Sequence, residues 1–159
     1  MNYGYITVAS AIPSVRVADA DYNIKQIESL IAQAEGKGAE IIVFPELSVT
    51  GYSCQDLFAQ QTLLDQTEMK ILQLLDFSRM LDIICIIGAP VCIGTALYNC
   101  AVVCQHGNIL GIVPKRYLPN YGEFYEKRWF ASADDLDCPI EVRFAGNTIT
   151  VSPDIQLFQ

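Results

Sequence analysis

Charge is scarce in this sequence and imidazole scarcer still: 18% of the 159 residues are Asp, Glu, Lys or Arg, and His106 is the single histidine. With no CxxC pair and with His106 in a His-Gly-Asn turn, a metal site of thiolates and imidazoles lacks its ligands. The formal net charge of −8 repels phosphates, which argues against nucleic acid as a partner. No apolar stretch reaches the length of a bilayer span, the longest being Ile83–Ile87 with its flanks. The opening MNYGYITVAS lacks a basic n-region and a long apolar h-region, so a secretory signal is not expected and the cytoplasm is the expected compartment. There the six cysteines, Cys54, Cys85, Cys92, Cys100, Cys104 and Cys138, are expected to stay reduced. Four of them lie in or beside apolar β-like runs, where cysteine acts as a small buried hydrophobe. No GxGxxG supports a dinucleotide-binding turn, and no internal repeat or low-complexity segment is present.

What is present is apolar: 52% of the residues are hydrophobic, enough for one domain with a real core. The excess points to a chain buried on several faces, or to one that covers a partner. Tyr3–Ala9 alternates and is β-branched, and Pro13 ends it. Asp19 and Asp21 offer caps before Ile24, Ile27, Ile31 and Ala34, a stripe of three- and four-residue steps that Gly36 and Gly38 stop. Ile41–Phe44 is the next strand, so β, α, β predicts parallel neighbours joined by a crossover helix. Thr62–Met80 reads as a second helix with Leu64, Ile71, Leu72 and Leu75 on one side. Ile83–Ile87 is apolar throughout and is expected to be covered on both faces. Leu97–Cys104 and Ile109–Val113 form a hairpin across Gly107. Ile140–Phe144 and Thr148–Val151 form another around Ala145-Gly146-Asn147.

Two strand ends carry the chemistry. In EIIVFPELSVTGY (Glu40–Tyr52) the apolar run breaks at Pro45, which cannot donate to a ladder, and Glu46 follows at once. The carboxyl end of a core strand is where α/β folds build sites, and a carboxylate against apolar walls suits a general base. On position alone Glu46 reads first as a solvated loop residue. GIVPKRYLPNYGEFYEKRWF (Gly111–Phe130) repeats the design, with Pro114 ending the strand and Lys115 following. Two such ends in one sheet can form a buried acid and cation pair.

FPELSVTGY and PKRYLPNYGEFYEKRWF together resemble the nitrilase superfamily of carbon–nitrogen hydrolases. The second stretch is similar to the N-terminal glutaminase domain of glutamine-dependent NAD synthetases. The resemblance implies an α/β fold, a four-layer αββα sandwich of which this sequence holds the first half or somewhat more. It also implies attack of a cysteine on the side-chain amide of glutamine, with Glu46 as general base and Lys115 stabilising the oxyanion. Glu123 matches the second glutamate, which holds the lysine and orients substrate. Tyr52, Tyr121 and Phe124 match aromatic positions of the glutamine pocket, although Tyr121 and Phe124 suit ordinary core packing as well.

The nucleophile is missing from this pattern. The family carries its cysteine in a context like G-x-x-I-C-E-D-x-W, and no such stretch occurs here. Cys138, in LDCPI, is the only cysteine after Lys115, and Cys85 lies inside an apolar run, where burial quietens a thiol. The expectation is a single incomplete domain, residues 1–159, without glutaminase turnover of its own and with a sheet face or edge that invites a second copy. ATP and magnesium are expected only in a separate synthetase domain, since no phosphate loop such as SGGxDS is present, and no cofactor is expected for this piece. Another amidohydrolase of the superfamily, an amidase or carbamoylase, and a non-catalytic interaction module are the alternatives.

Overall fold

The computed structural model describes residues 4–158. Tyr3, with which the expected first strand begins, lies outside the described residues; of the rest of that expectation only Val8 and Ala9 are strand, in the three-residue β1 (Val8–Ser10), and residues 4–7 are irregular. Asp19 caps α1 (Ala20–Glu35), its carboxylate accepting the Tyr22 N–H at 3.0 Å, which satisfies one of the unpaired donors of the first turn. The chain leaves through Gly38 at φ +78°. There Ala39 N–H returns to the Ala34 carbonyl and Gly38 N–H to that of Glu35, a stop that a residue with a Cβ forms poorly. Ile24, Ile27 and Ile31 are fully buried, each contributing about 2 kcal/mol of apolar transfer.

β2 (Ile41–Val43), β3 (Ile84–Ile93), β4 (Ala96–Gln105) and β5 (Asn108–Pro114) complete a sheet ordered β1-β2-β3-β4-β5. β1, β2 and β3 run parallel, and β4 and β5 return as antiparallel hairpins. The β4–β5 turn needs positive φ at two successive residues, His106 and Gly107, the conformation that a tight hairpin demands. α1 and α2 (Gln61–Ser78) lie on one face. The hairpin β6 (Ile140–Phe144) and β7 (Asn147–Val151) sits beside α2, with Glu68 accepting the Ala145 N–H at 2.8 Å. Val142, Phe144 and Val151 join the same core as Ile42, Ile87 and Val102. Among the described residues no helix is long and apolar enough to cross a membrane.

Two expectations need correction. The buried stripe of α2 is Leu63, Thr67, Ile71, Leu74 and Leu75, while Leu72 is exposed and Leu64 half-buried. Ile71 and Leu75 were read correctly, but the register around them drifts by one position because α2 packs against both α1 and the sheet. The strand expected to be covered on both faces is covered on one. Cys85 and Ile87 are fully buried, whereas Ile84 and Ile86 on the other face are half-buried. That second face, with Val43 40% and Val113 37% exposed, carries no helix among the described residues. Of the four layers the resemblance implies, the described residues build one helical layer and one large sheet.

Gly88 on β3 fixes how the strand meets the loop after β2. A Cβ there would overlap the backbone of Pro45 and Leu47, which has no side-chain freedom with which to yield. Gly88→Ala is expected to lower the unfolding free energy by about 3 kcal/mol, the overpacking range, measured as a fall in the urea midpoint with an unchanged slope.

Candidate active site

β2 loses its ladder at Phe44, whose N–H still reaches the Ile86 carbonyl at 2.9 Å; Pro45 has no donor, and the chain turns. Leu47 adopts φ +52°, and its carbonyl accepts the N–H groups of Thr50 and Gly51, while Val49 N–H bonds to the Gly88 carbonyl. Asn23 of α1, fully buried, clamps the turn from beneath, its amide donating to the Val49 and Arg16 carbonyls at 2.9 and 2.8 Å. This turn presents Glu46. From the far side, β5 runs to Pro114, and Lys115 N–H extends the pairing to the Asn99 carbonyl at 2.8 Å.

The Lys115 ammonium lies 2.7 Å from Glu46 Oε2 and 3.0 Å from Glu126 Oε1. Asn99, from β4, donates its amide to the same Glu46 oxygen at 3.0 Å, and the Tyr52 hydroxyl donates to Glu126 Oε1 at 2.7 Å. The result is a connected chain: Tyr52, Glu126, Lys115, Glu46, Asn99. Glu126 is buried, at 2% exposure, and its Oε2 has no hydrogen-bond partner. Burial opposes the charge on Lys115, but its hydrogen bonds to Glu46 and Glu126 outweigh that and raise its pKa above the ordinary lysine value. Burial and the Glu126 carboxylate push the Tyr52 phenol well up, so it stays a donor. A depression of about 290 Å³ opens beside Glu46 and Lys115, floored by Val43, Ile86, Ala101 and Val113. Glu46 is half-exposed, so the apolar enclosure expected around it is not present among the described residues.

Of the residues singled out in the sequence, Glu46, Lys115 and Tyr52 come together. Glu123 does not: it is exposed, and the lysine-holding role expected of it falls to Glu126. The reason is local. Glu123 lies in a turn closed by Phe124 N–H on the Tyr121 carbonyl, whereas the short 3-10 turn Glu126–Arg128 rotates Glu126 inward, three and four residues before the apolar pair Trp129 and Phe130. That spacing was the available signal. Tyr121 and Phe124 form an edge-on pair, centroids 5.9 Å apart, and neither bonds to the carboxylates or the lysine. Tyr121 is 74% exposed, so core packing does not describe it either. Asn99 was missed as well; a lone amide in the middle of the apolar run around Tyr98 and Cys100 needs a partner, and Glu46 is that partner.

No thiol joins this group among the described residues. Cys100 borders the depression, but its side chain is in the helix-side core, and desolvation pushes its pKa far up. Cys85, fully buried, is likewise raised, by its contact with Cys104 and by burial, and Cys138 is exposed in the loop before β6. No group of three or more metal-ligating side chains is present among the described residues.

An acid and a lysine from strand ends of one α/β sheet meet beside a shared depression. The chain belongs to the carbon–nitrogen hydrolase family, whose model matches residues 7–155. It is 38% identical over 132 residues to the glutamine-dependent NAD(+) synthetase of Mycobacterium tuberculosis, a match covering 83% of this chain and 19% of that protein. It superimposes on the glutamine-dependent NAD(+) synthetase of Cytophaga hutchinsonii with a TM-score of 0.84 at 26% identity, over 92% of this chain and 25% of the other. An amidase from Nesterenkonia shares the fold, with a TM-score of 0.69 at 23% identity, over 92% of this chain and 54% of that one. The chain thus spans about a fifth of the length of the curated relatives it matches.

Glu126 has its charge partner in Lys115, and removing the cation strands a buried carboxylate. Lys115→Met is expected to cost about 3 kcal/mol or more of stability, with part recovered in the Lys115→Met, Glu126→Gln double variant. The sign with pH follows from a raised lysine: the contribution is complete below the unfolded value of 10.5 and fades as pH climbs through the higher folded value. Urea unfolding of both chains from pH 7 to 11 should show a constant gap that narrows only at the alkaline end.

Proposed function

We propose that this chain supplies the general base and the oxyanion-stabilising cation of a glutamine-hydrolysing site, and that it is part of the ammonia-generating portion of a glutamine-dependent NAD synthetase. The observation that carries this is the Lys115 ammonium held between Glu46 and Glu126 at the ends of strands that run into one depression. Glu46 Oε2 is engaged by Lys115 and Asn99, which leaves Oε1 to take a proton. In the reaction a thiol loses its proton to Glu46, and sulfur bonds to the amide carbon. The carbonyl electron pair moves to an oxygen that the ammonium stabilises, a preorganised interaction that contributes about 3 kcal/mol. Glu46 returns the proton to the departing ammonia, and water, deprotonated by the same carboxylate, cleaves the thioester to glutamate.

No thiol among the described residues joins Glu46 and Lys115, so in this reading the nucleophile approaches from outside this group; Cys100 and Cys85 are buried in the core. The half-covered sheet face of Val43, Ile86, Ala101 and Val113 suits the second sheet of the four-layer sandwich. ATP and magnesium belong to a synthetase domain, as no phosphate loop occurs in this sequence, and glutamine is the substrate.

Two assays test the reading. The 159-residue chain alone should release no ammonia from glutamine; turnover lost in Glu46→Gln would overturn the missing-thiol part. The longer protein carrying this sequence should amidate deamido-NAD with glutamine and ATP, and Glu46→Gln should slow glutamine hydrolysis by about 100-fold or more. Turnover of simple aliphatic amides with no amidation of deamido-NAD would assign an amidase instead.

A further inference from the structure

The site is assembled on a second hydrophobic cluster, separate from the main core: Leu47, Cys54, Phe58, Leu63 and Phe130, with Trp129 packed against it. Phe58 meets Phe130 edge-on at 4.9 Å and Trp129 at 6.1 Å. Over the top of this cluster, Asp56 reaches from the 3-10 segment Tyr52–Ala59 to the turn that carries Glu126. One carboxylate oxygen accepts from Arg128 Nε at 2.7 Å and from Trp129 Nε1 at 2.9 Å; the other accepts from Arg128 Nη2 at 2.9 Å. The guanidinium and indole donors hold the Asp56 carboxyl well below the ordinary range. The segment kinks to deliver it: Gln55 sits at φ +51°, a strained conformation for a residue with a side chain.

We infer that Asp56 is a positioning residue: its fork to Arg128 and Trp129 holds the segment bearing Tyr52 against the turn bearing Glu126, and so sets the Tyr52–Glu126–Lys115–Glu46 chain. Both partners of the fork are more than three-fifths exposed, and an exposed ion pair does little for global stability. Its geometry, however, is that of a clip, with a planar two-donor contact on one side and the indole on the other. It joins two segments whose other direct side-chain link is the Tyr52–Glu126 hydrogen bond and the aromatic contacts beneath it. The clip therefore acts on the register of the two loops rather than on the survival of the fold. Its functional weight rests on the reading of Glu46, Lys115 and Glu126 as the working groups.

Tyr52 reports the register directly, because its phenol is held up by burial and by Glu126. With tyrosine labelled at 13Cζ, and Tyr52→Phe used to assign the resonance, wild-type Tyr52 should stay protonated at about pH 11, where an ordinary phenol is mostly ionised. Asp56→Ala should bring the Tyr52 midpoint down by about one pH unit or more, a tenfold change in its phenolate ratio. Asp56→Glu should restore part of it. Trp129→Phe, which keeps an aromatic ring on Phe58 and removes one donor, should give a smaller fall and keeps the test decisive if Asp56→Ala does not fold. The thermal midpoint should change little in Trp129→Phe. A Tyr52 titration unaltered in the folded variants, while the emission of the lone tryptophan shifts in Asp56→Ala, would overturn the inference. No turnover is needed for this readout, so it stands or falls independently of whether the longer protein hydrolyses glutamine.

Discussion

A buried carboxylate needs a cation, and much of the arrangement around the site serves that need. Glu126 is nearly inaccessible to water, and one of its oxygens has no hydrogen-bond partner, so it relies on the other, which Lys115 meets at 3.0 Å and the Tyr52 hydroxyl at 2.7 Å. The same ammonium reaches Glu46 at 2.7 Å. A lysine with one acidic partner can swing about a flexible stem; a lysine between two, one of them buried, cannot swing without stranding a charge. The position of the ammonium is thus set by the cost of moving it, and Glu46 is the more exposed of the two acids.

Backbone chemistry determines where those groups start from. Two prolines end two strands, and in each case the next residue is charged. The parallel order of β1, β2 and β3 and the hairpins that follow put β2 and β5 in one sheet, with β3 and β4 between them. The long stems of Glu46 and Lys115 span that gap, helped by Asn99 from the intervening strand. Gly88 is the point where β3 lets the Glu46 turn lie flat upon it, backbone on backbone.

Much of this was legible in the sequence because it depends on local rules. Proline at the strand ends, the cap and stop of α1 and the Gly107 turn each need only a few neighbouring residues to be read. Glu46 and Lys115 were found at the proline-ended strands and Tyr52 through the family resemblance, and the three are joined in one hydrogen-bonded chain. Glu123 was taken as the match to the family's second glutamate; it and Glu126 are both charged residues in an irregular stretch, where polarity carries no direction. What separates them is the side of one 3-10 turn that faces Trp129 and Phe130, and that is a tertiary fact. Asn99 and Asp56 were invisible for a related reason: each is polar, and its meaning lies in a partner far along the chain. The burial of the Ile83–Ile87 run was overread because an all-apolar strand states what can be covered, not what covers it.

The division of the interior into two clusters gives the molecule two kinds of stability. The larger, between α1, α2, the sheet and the terminal hairpin, is built mainly from aliphatic side chains, with Phe44, Tyr98, Phe144 and three cysteines among them, and supports the strands. The smaller, around Phe58 and Phe130, lies under loops, and its segments are joined by a few polar contacts at their exposed rims. Segments of this kind open at lower free energy than core strands. Glu46 follows a core strand, whereas Tyr52 and Glu126 belong to the loops over the smaller cluster, so the site straddles the seam. A rigid half holds the acid and the lysine in place, and a softer half closes on the lysine from the other side. Hydrogen bonds aligned along such a seam are sensitive to loop register over fractions of an ångström, so rim contacts too weak to matter for folding can still decide the geometry of the charges beneath them.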